Sequence, residues 1–299
     1  GTLTINGGTF SLLQKWKGED RYLINCIDKA FTDKEAKVAI YGGSFVGFDP
    51  NVSPEKKVDG KAPSFAAPGV GITKNENGSF TAKANMAAQI LDSDGNSVEA
   101  YATLAEAIAA AKDGETVKLL ADITENGMDI AKSITIDFDG HTLTVEGEMV
   151  GSSGTVTNAL RFLKNGDTTN TVVLKNGKIV STTARILIQN YSSLTVDGMV
   201  LDLSGQQLYG YVLSNNNGNT VIKDTTISAP AAERSLAFDV CGFSTYGDVS
   251  VTMEGNCVIN GNVMFSTDNP KNKQNVELIL NGGIINGSLV DGGGSEDII

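Results

Sequence analysis

The chain has 299 residues, of which 40% are hydrophobic and 19% charged, with a net charge of −12 and a pI near 4.6. It is too apolar to be disordered, and so acidic a surface repels phosphate backbones, which excludes nucleic acid as an expected partner. No run of 18 apolar residues crosses a membrane, and three widely spaced cysteines, Cys26, Cys241 and Cys257, are not a disulfide framework but read as reduced thiols within apolar runs.

In chain order, the first elements are LTINGGTF (Leu3–Phe10) and VAIYGGSF (Val38–Phe45): alternating apolar residues, a glycine corner, then more alternation. The sequence opens directly in the strand-like run GTLTINGG, which has no signal-peptide pattern. Pro50, Pro54, Pro63 and Pro68 mark a linker. Two hairpins follow, turning near Asn77–Gly78 and near Asp94–Gly95. In ATLAEAIAAAKDGETVKLL, Thr103 and Glu106 have the spacing of a capping box. Leu104, Ala107, Ile108 and Ala111 form an apolar stripe, and Gly114 is placed to end the helix in the left-handed conformation. A strand over Thr116–Leu120 comes next.

From residue 134 the corner motif recurs as ITIDFDGHTLTV, VVLKNGKIV, LTVDGMVLDL, TVIKDTTIS, VSVTMEGNCVI and ELILNGGII. Corners at Asn176, Asp197, Asp224, Glu254 and Gly282 lie 21, 27, 30 and 28 residues apart. Between them runs a simpler beat: ALRFL, RILIQ, YGYVL, LAFDV and NVMF. A period in the twenties with variable insertions indicates a solenoid, since stacked strands must match while loops need not. An antiparallel sandwich using the corners as hairpin turns is the alternative that single corners leave open; a leucine-rich repeat would need regular leucines and a fixed asparagine.

The run Tyr101–Leu120 resembles the cap helix and first strand of pectin-lyase-like right-handed β-helix proteins, and the NG and DG corners resemble their two-residue turns. Together with GGSFVGFDP, it looks like long repetitive surface proteins of gut-type bacteria, some of them regarded as adhesins. The resemblance covers residues 99–299 well and 1–50 in part. It implies an all-β fold, a right-handed parallel β-helix with a short cap helix near 101–112 and a small inserted β module. The expected domains are terminal coils over 1–50, a linker and hairpin module over 51–98, and the main β-helix over 99–299. The last repeat shows no cap, so end-to-end self-association is expected.

His141 is the single histidine, which excludes Ser–His–Asp, Cys–His and multi-histidine sites. Carboxylates remain. Aligning the corners puts Asp139, Asn176, Asp197, Asp224 and Glu254 in one column. Coils about 4.8 Å apart would hold Asp197 and Asp224 roughly 5 Å from each other, the separation used by a retaining glycosidase. Asp139, Asp197, Asp224 and Glu254 could equally hold Ca²⁺. The plainer reading is turn chemistry, since Asp and Asn tolerate positive φ. Asp92, Asp94 and Asn96 echo part of a Ca²⁺ loop but suit a hairpin turn. Trp16, Tyr22, Tyr41 and Phe48 could form a sugar platform, or staple loops and core.

Polysaccharide lyases of the resembled fold join an acidic Ca²⁺ cluster to a basic residue. Here Arg21, Arg161, Arg185 and Arg234 all lie away from the corners. The expectation is therefore a non-catalytic bacterial surface or secreted scaffold or adhesin that contacts host or cell-wall glycans or proteins, with no cofactor. The alternative is a carbohydrate-active enzyme: a lyase, glycosidase or tailspike-like depolymerase.

Overall fold

A computed structural model describes residues 1–12, 22–26, 28–53, 63–152, 155–243, 245–267 and 274–292. The chain divides into two compact units, residues 1–111 with 115–121, and residues 112–114 with 122–299. The segments read as terminal coils, linker, hairpin module and helix thus share the first unit.

In the first unit, Thr2–Ile5 pairs in parallel with Lys37–Ile40, and Thr9–Ser11 with Gly43–Val46. Gly43–Val46 also pairs antiparallel with Ser79–Ala84, which pairs with Val70–Lys74 in the hairpin whose turn holds Gly78 at φ 79°. The second expected hairpin joins Ala88–Leu91 to Ser97–Tyr101 through Gly95 at φ 83°. Apolar side chains of these strands close a core around Phe45, Phe65, Ile40 and Ile72, all fully buried. Phe48 is buried there too, its ring 6.2 Å from that of Phe45. It belongs to the core rather than to a surface platform; Tyr22 and Tyr41 are exposed, and Trp16 lies outside the described residues.

The helix spans Leu104–Ala110 and opens with the expected capping box: the Glu106 amide donates to Thr103 Oγ1 (3.1 Å), and the Thr103 amide to Glu106 Oε2 (3.2 Å). It ends sooner than Gly114 implied. Ala111 is already extended at ψ 143°, and Gly114, at φ 85°, serves the following turn instead. Leu104, Ala107 and Ile108 are buried as the helix packs on strands Ala88–Leu91, Ser97–Tyr101 and Thr116–Leu119 of its own unit. Those strands cover the apolar stripe.

The second unit is built on two parallel sheets between which the chain alternates. The first takes the corner motifs. Strands Ile134–Asp137, Thr171–Val180, Ser193–Asp202, Gly218–Lys223, Val249–Glu254 and Val276–Leu280 pair in turn. The second takes the simpler beat: Met128–Ile130, Thr155–Phe162, Ile186–Asn190, Tyr211–Asn215, Leu236–Gly242, Asn262–Thr267 and Leu289–Asp291. Corners are not hairpins here, because the strands flanking them pair with the next repeat in parallel rather than with each other. Val150–Ser152 adds antiparallel against Thr155–Asn158.

Register turns the sequence pattern into columns of like residues. Ile136, Leu174, Val196, Ile222 and Met253 stack in the first sheet, and Leu160, Ile188, Leu213, Phe238 and Val263 in the second, all buried. At one corner the backbones come so close that only glycine fits: a Cβ on Gly177 would lie 2.2 Å from Phe138 Cβ and 2.6 Å from the His141 carbonyl. Among the cysteines, Cys257 is buried while Cys26 and Cys241 are half-buried, and none of the three is in a disulfide.

A polar ladder is set into the apolar core. Asn190 and Asn215 are fully buried neighbours in register. Asn215 Nδ2 donates to the Asp239 carbonyl (2.8 Å), and its Oδ1 accepts from Thr220 Oγ1 (2.7 Å) and Asn190 Nδ2 (3.3 Å). Buried polar atoms cost most when one partner is removed. Asn215→Leu, of similar size, is therefore expected to destabilise the fold by about 1–3 kcal/mol, the penalty for taking a buried partner from the Thr220 hydroxyl and the Asp239 carbonyl, since Asn190 keeps Ser192 and Thr220. Urea unfolding followed by circular dichroism checks this; an unchanged midpoint would show that the ladder contributes nothing.

Candidate functional site

The corner carboxylates do not form the single column that the sequence alignment gave. Register places Asp137, Lys175, Asp197, Lys223 and Glu254 opposite one another in successive parallel strands. Asp139, Asn176, Gly198, Asp224 and Gly255 are instead the left-handed corner residues, with φ of 48°, 61°, 63°, 47° and 70°. The one-residue offset has a local cause. Where glycine takes the left-handed position, as at Gly198 and Gly255, the acid before it stays at the end of the strand. Where Asp or Asn takes that position itself, the acid is in the corner.

Asp197 and Asp224 therefore do not face each other as a catalytic pair. Lys223 Nζ lies 3.4 Å from Asp197 Oδ2, and Asp224 Oδ1 accepts the Asn256 amide at 2.8 Å. Lys175 Nζ sits 3.2 Å from Asp137 Oδ2. Burial alone would raise Asp137, but bonds from the Asn176 amide and the Asp139 backbone, with Lys175 beside them, hold it below the usual carboxylate range. Among the described residues no three His, Cys, Asp or Glu side chains come together as a metal site, so Asp139, Asp197, Asp224 and Glu254 do not form one. Asp92 accepts the backbone amides of Asp94 and Asn96 as a hairpin turn, and His141 Nδ1 is 3.3 Å from Asp122 at its corner.

The alternating column is an electrostatic clamp on register, since like charges directly opposite destabilise a sheet. Lys223→Glu would put three acids in consecutive coils. It is expected to cost about 1 kcal/mol at low salt and less at 1 M NaCl, where the Debye length is about 3 Å. Thermal melts at the two ionic strengths measure it; a salt-independent loss would rule out the charge term.

The second sheet carries a groove with a volume of ≈ 410 Å³. It lies over strands Thr155–Phe162, Ile186–Asn190 and Tyr211–Asn215, and Arg161, Arg185, Gln189, Tyr191, Tyr209 and Tyr211 line it. Arg185 and Tyr209 stand just before their strands and Tyr191 just after its own, so the groove is flanked along the strand direction. None of its lining residues is a carboxylate.

Each lining group is held. Arg161 makes a two-point bond to Asp129, with Nε to Oδ1 at 2.7 Å and Nη2 to Oδ2 at 2.5 Å, which neutralises it. Arg185 is different. Its Nε donates to the Tyr209 carbonyl (2.5 Å), and its Cζ lies 3.8 Å from the centre of the Tyr209 ring. Tyr191 stacks on Tyr246 with ring centres 4.5 Å apart, and Phe243 meets Tyr246 edge-on. Burial first, then the neighbouring Tyr246, pushes the Tyr191 phenol up to about 12; Tyr211 is raised by burial and by Asp239. Both phenols therefore keep their protons at neutral pH.

Gln189 forms part of the floor. Its Nε2 donates to Asn216 Oδ1 (2.5 Å) and Ser214 Oγ (3.3 Å), and Ser214 Oγ donates to Asp239 Oδ2 (3.2 Å). The Asn215 amide supplies a further bond to Asp239 Oδ1 at 2.8 Å. Burial dominates these bonds and pushes Asp239 up to about 7.

The arrangement offers what a sugar requires: half-exposed aromatic faces for its C–H surface, and amide, phenol and guanidinium donors for its hydroxyls. It offers no pair of carboxyl groups for acid and base. Sequence reading passed over these residues because they are spread through the plain beats ALRFL, RILIQ and YGYVL; the available signal was that both arginines and three tyrosines fall on or beside strands of one sheet. No protein-family model matches the chain, and no curated protein or solved structure does either.

Asp239 links stability to pH. Its folded value near 7 exceeds the ordinary 3.8, so between those pH values the folded state binds more protons than the unfolded one. Its contribution is fully present below about pH 4, declines as pH rises toward 7, and is flat above. Asp239→Asn is expected to flatten that decline in urea midpoints between pH 4.5 and 7.5. An equal slope in the variant would place the titration elsewhere.

Proposed function

We propose that the second unit is a right-handed parallel β-helix and that the protein is a non-catalytic glycan-binding scaffold on the outside of a bacterial cell, with the tyrosine–arginine groove as its binding site. The observation that carries this reading is the groove itself: aromatic faces and fixed donors over a flat parallel sheet, with no carboxylate among its lining residues. The β-helix reading is supported by in-register parallel pairing of repeats in two sheets between which the chain alternates. The carboxylates on which an enzyme reading depended are engaged elsewhere, Asp197 with Lys223 and Asp224 with the next corner.

A rigid sheet suits weak, repeated contacts, because the site loses little conformational entropy on binding. The full chain on an array of bacterial and host glycans is expected to retain a restricted set. Tyr209→Ala, which removes a ring 51% exposed at the groove edge, is expected to weaken that binding about tenfold, the effect of losing one stacking platform. An array with nothing retained would overturn the reading, and release of shortened sugars from a bound polysaccharide would replace it with the depolymerase alternative.

A further inference from the structure

We propose that the groove selects glycans bearing an anionic substituent, a carboxylate or a sulfate, and that Arg185 is the residue that reads it. This rests on the glycan-binding reading above and deepens it.

Two arginines line the groove, and they are not equivalent. Arg161 has its Nε–Nη2 edge committed to the Asp129 carboxylate, which also cancels its charge. Arg185 uses only Nε, which the Tyr209 carbonyl accepts, and among the described residues no carboxylate pairs with it. Its plane is fixed by the Tyr209 ring, and both Nη groups remain as donors. A guanidinium held in this way is prepared for two-point recognition of a planar or tetrahedral anion.

The local charge agrees. With Arg161 neutralised by Asp129, Arg185 leaves the groove lining with one uncompensated positive charge. The chain as a whole carries −12 and repels polyanions at a distance. A preference for acidic glycans would therefore have to arise inside this groove and not from overall charge. The stacked Tyr209 ring shields one face of the cation from water and strengthens its bond to an anion. The Tyr211 phenol, which stays protonated, also lines the groove and can serve a sugar hydroxyl.

The test is a glycan array carrying matched pairs: sulfated and desulfated forms, and uronates with their carboxyl-reduced counterparts. It is probed with the wild-type chain, Arg185→Gln and Arg185→Lys, each first shown to melt like wild type. Wild type is expected to bind the anionic member of at least one kind of pair about tenfold more tightly, the worth of a charge-assisted two-point bond. Sulfate pairs and uronate pairs then tell which anion is read. Arg185→Gln is expected to bring the members of a pair to within about twofold, and Arg185→Lys, a point charge without the fork, to restore part of the preference. Equal binding of both members, or a preference that survives Arg185→Gln, would overturn the inference and leave the glycan reading standing. An array with no glycan bound would overturn both.

Discussion

Parallel stacking in register is the constraint on which the second unit depends. Each strand hydrogen-bonds to the strand before and the strand after it in the sheet, so a side chain's neighbours are set by the same position in the adjacent repeats. Apolar positions must line up to bury one another, as Leu160, Ile188, Leu213 and Phe238 do. Polar positions inside must line up to satisfy one another, as Asn190 and Asn215 do. Insertions are confined to the connections between sheets, which explains the unequal spacing of the corners.

The groove inherits its rigidity from this arrangement. Arg161, Gln189 and Ser214 occupy matching positions on three adjacent strands, so their separations are set by the sheet and not by loops. Gln189 is oriented by Ser214 and Asn216, and Ser214 by Asp239, a chain of donors that runs across coils from the groove into the interior. The lining groups are thus positioned by the sheet itself, and for the ligand proposed above that would lower the entropic cost of binding. Arg185 and Tyr209 form an edge of the groove where a half-exposed cation lies over a half-exposed ring.

Much of the fold was legible because it rests on local rules. Alternation marked the strands, glycine and asparagine the corners, and the Thr103–Glu106 spacing the start of the helix. Its end was misplaced because Ala111 turns extended three residues before Gly114, a change no terminating residue announces. The column of acids was misread because the substitution of glycine for Asp or Asn at a left-handed corner shifts the acid by one position, which sequence alignment of the corners cannot detect. The groove was invisible for a different reason. Arg161, Arg185 and Tyr209 are separated by more than twenty residues at each step and meet only through strand pairing. Phe48 is a simpler case: of the two roles its sequence allowed, surface platform or core, it takes the core of the first unit.

The charge column Asp137, Lys175, Asp197, Lys223, Glu254 changes sign at every step. Loss of one coil, such as the one that carries Asp197, would bring Lys175 against Lys223, whereas loss of two adjacent coils would leave opposite signs in contact. The unit that can be duplicated or deleted here during evolution without an electrostatic penalty is therefore a pair of coils, twice the length of the repeat that hydrophobic spacing alone defines.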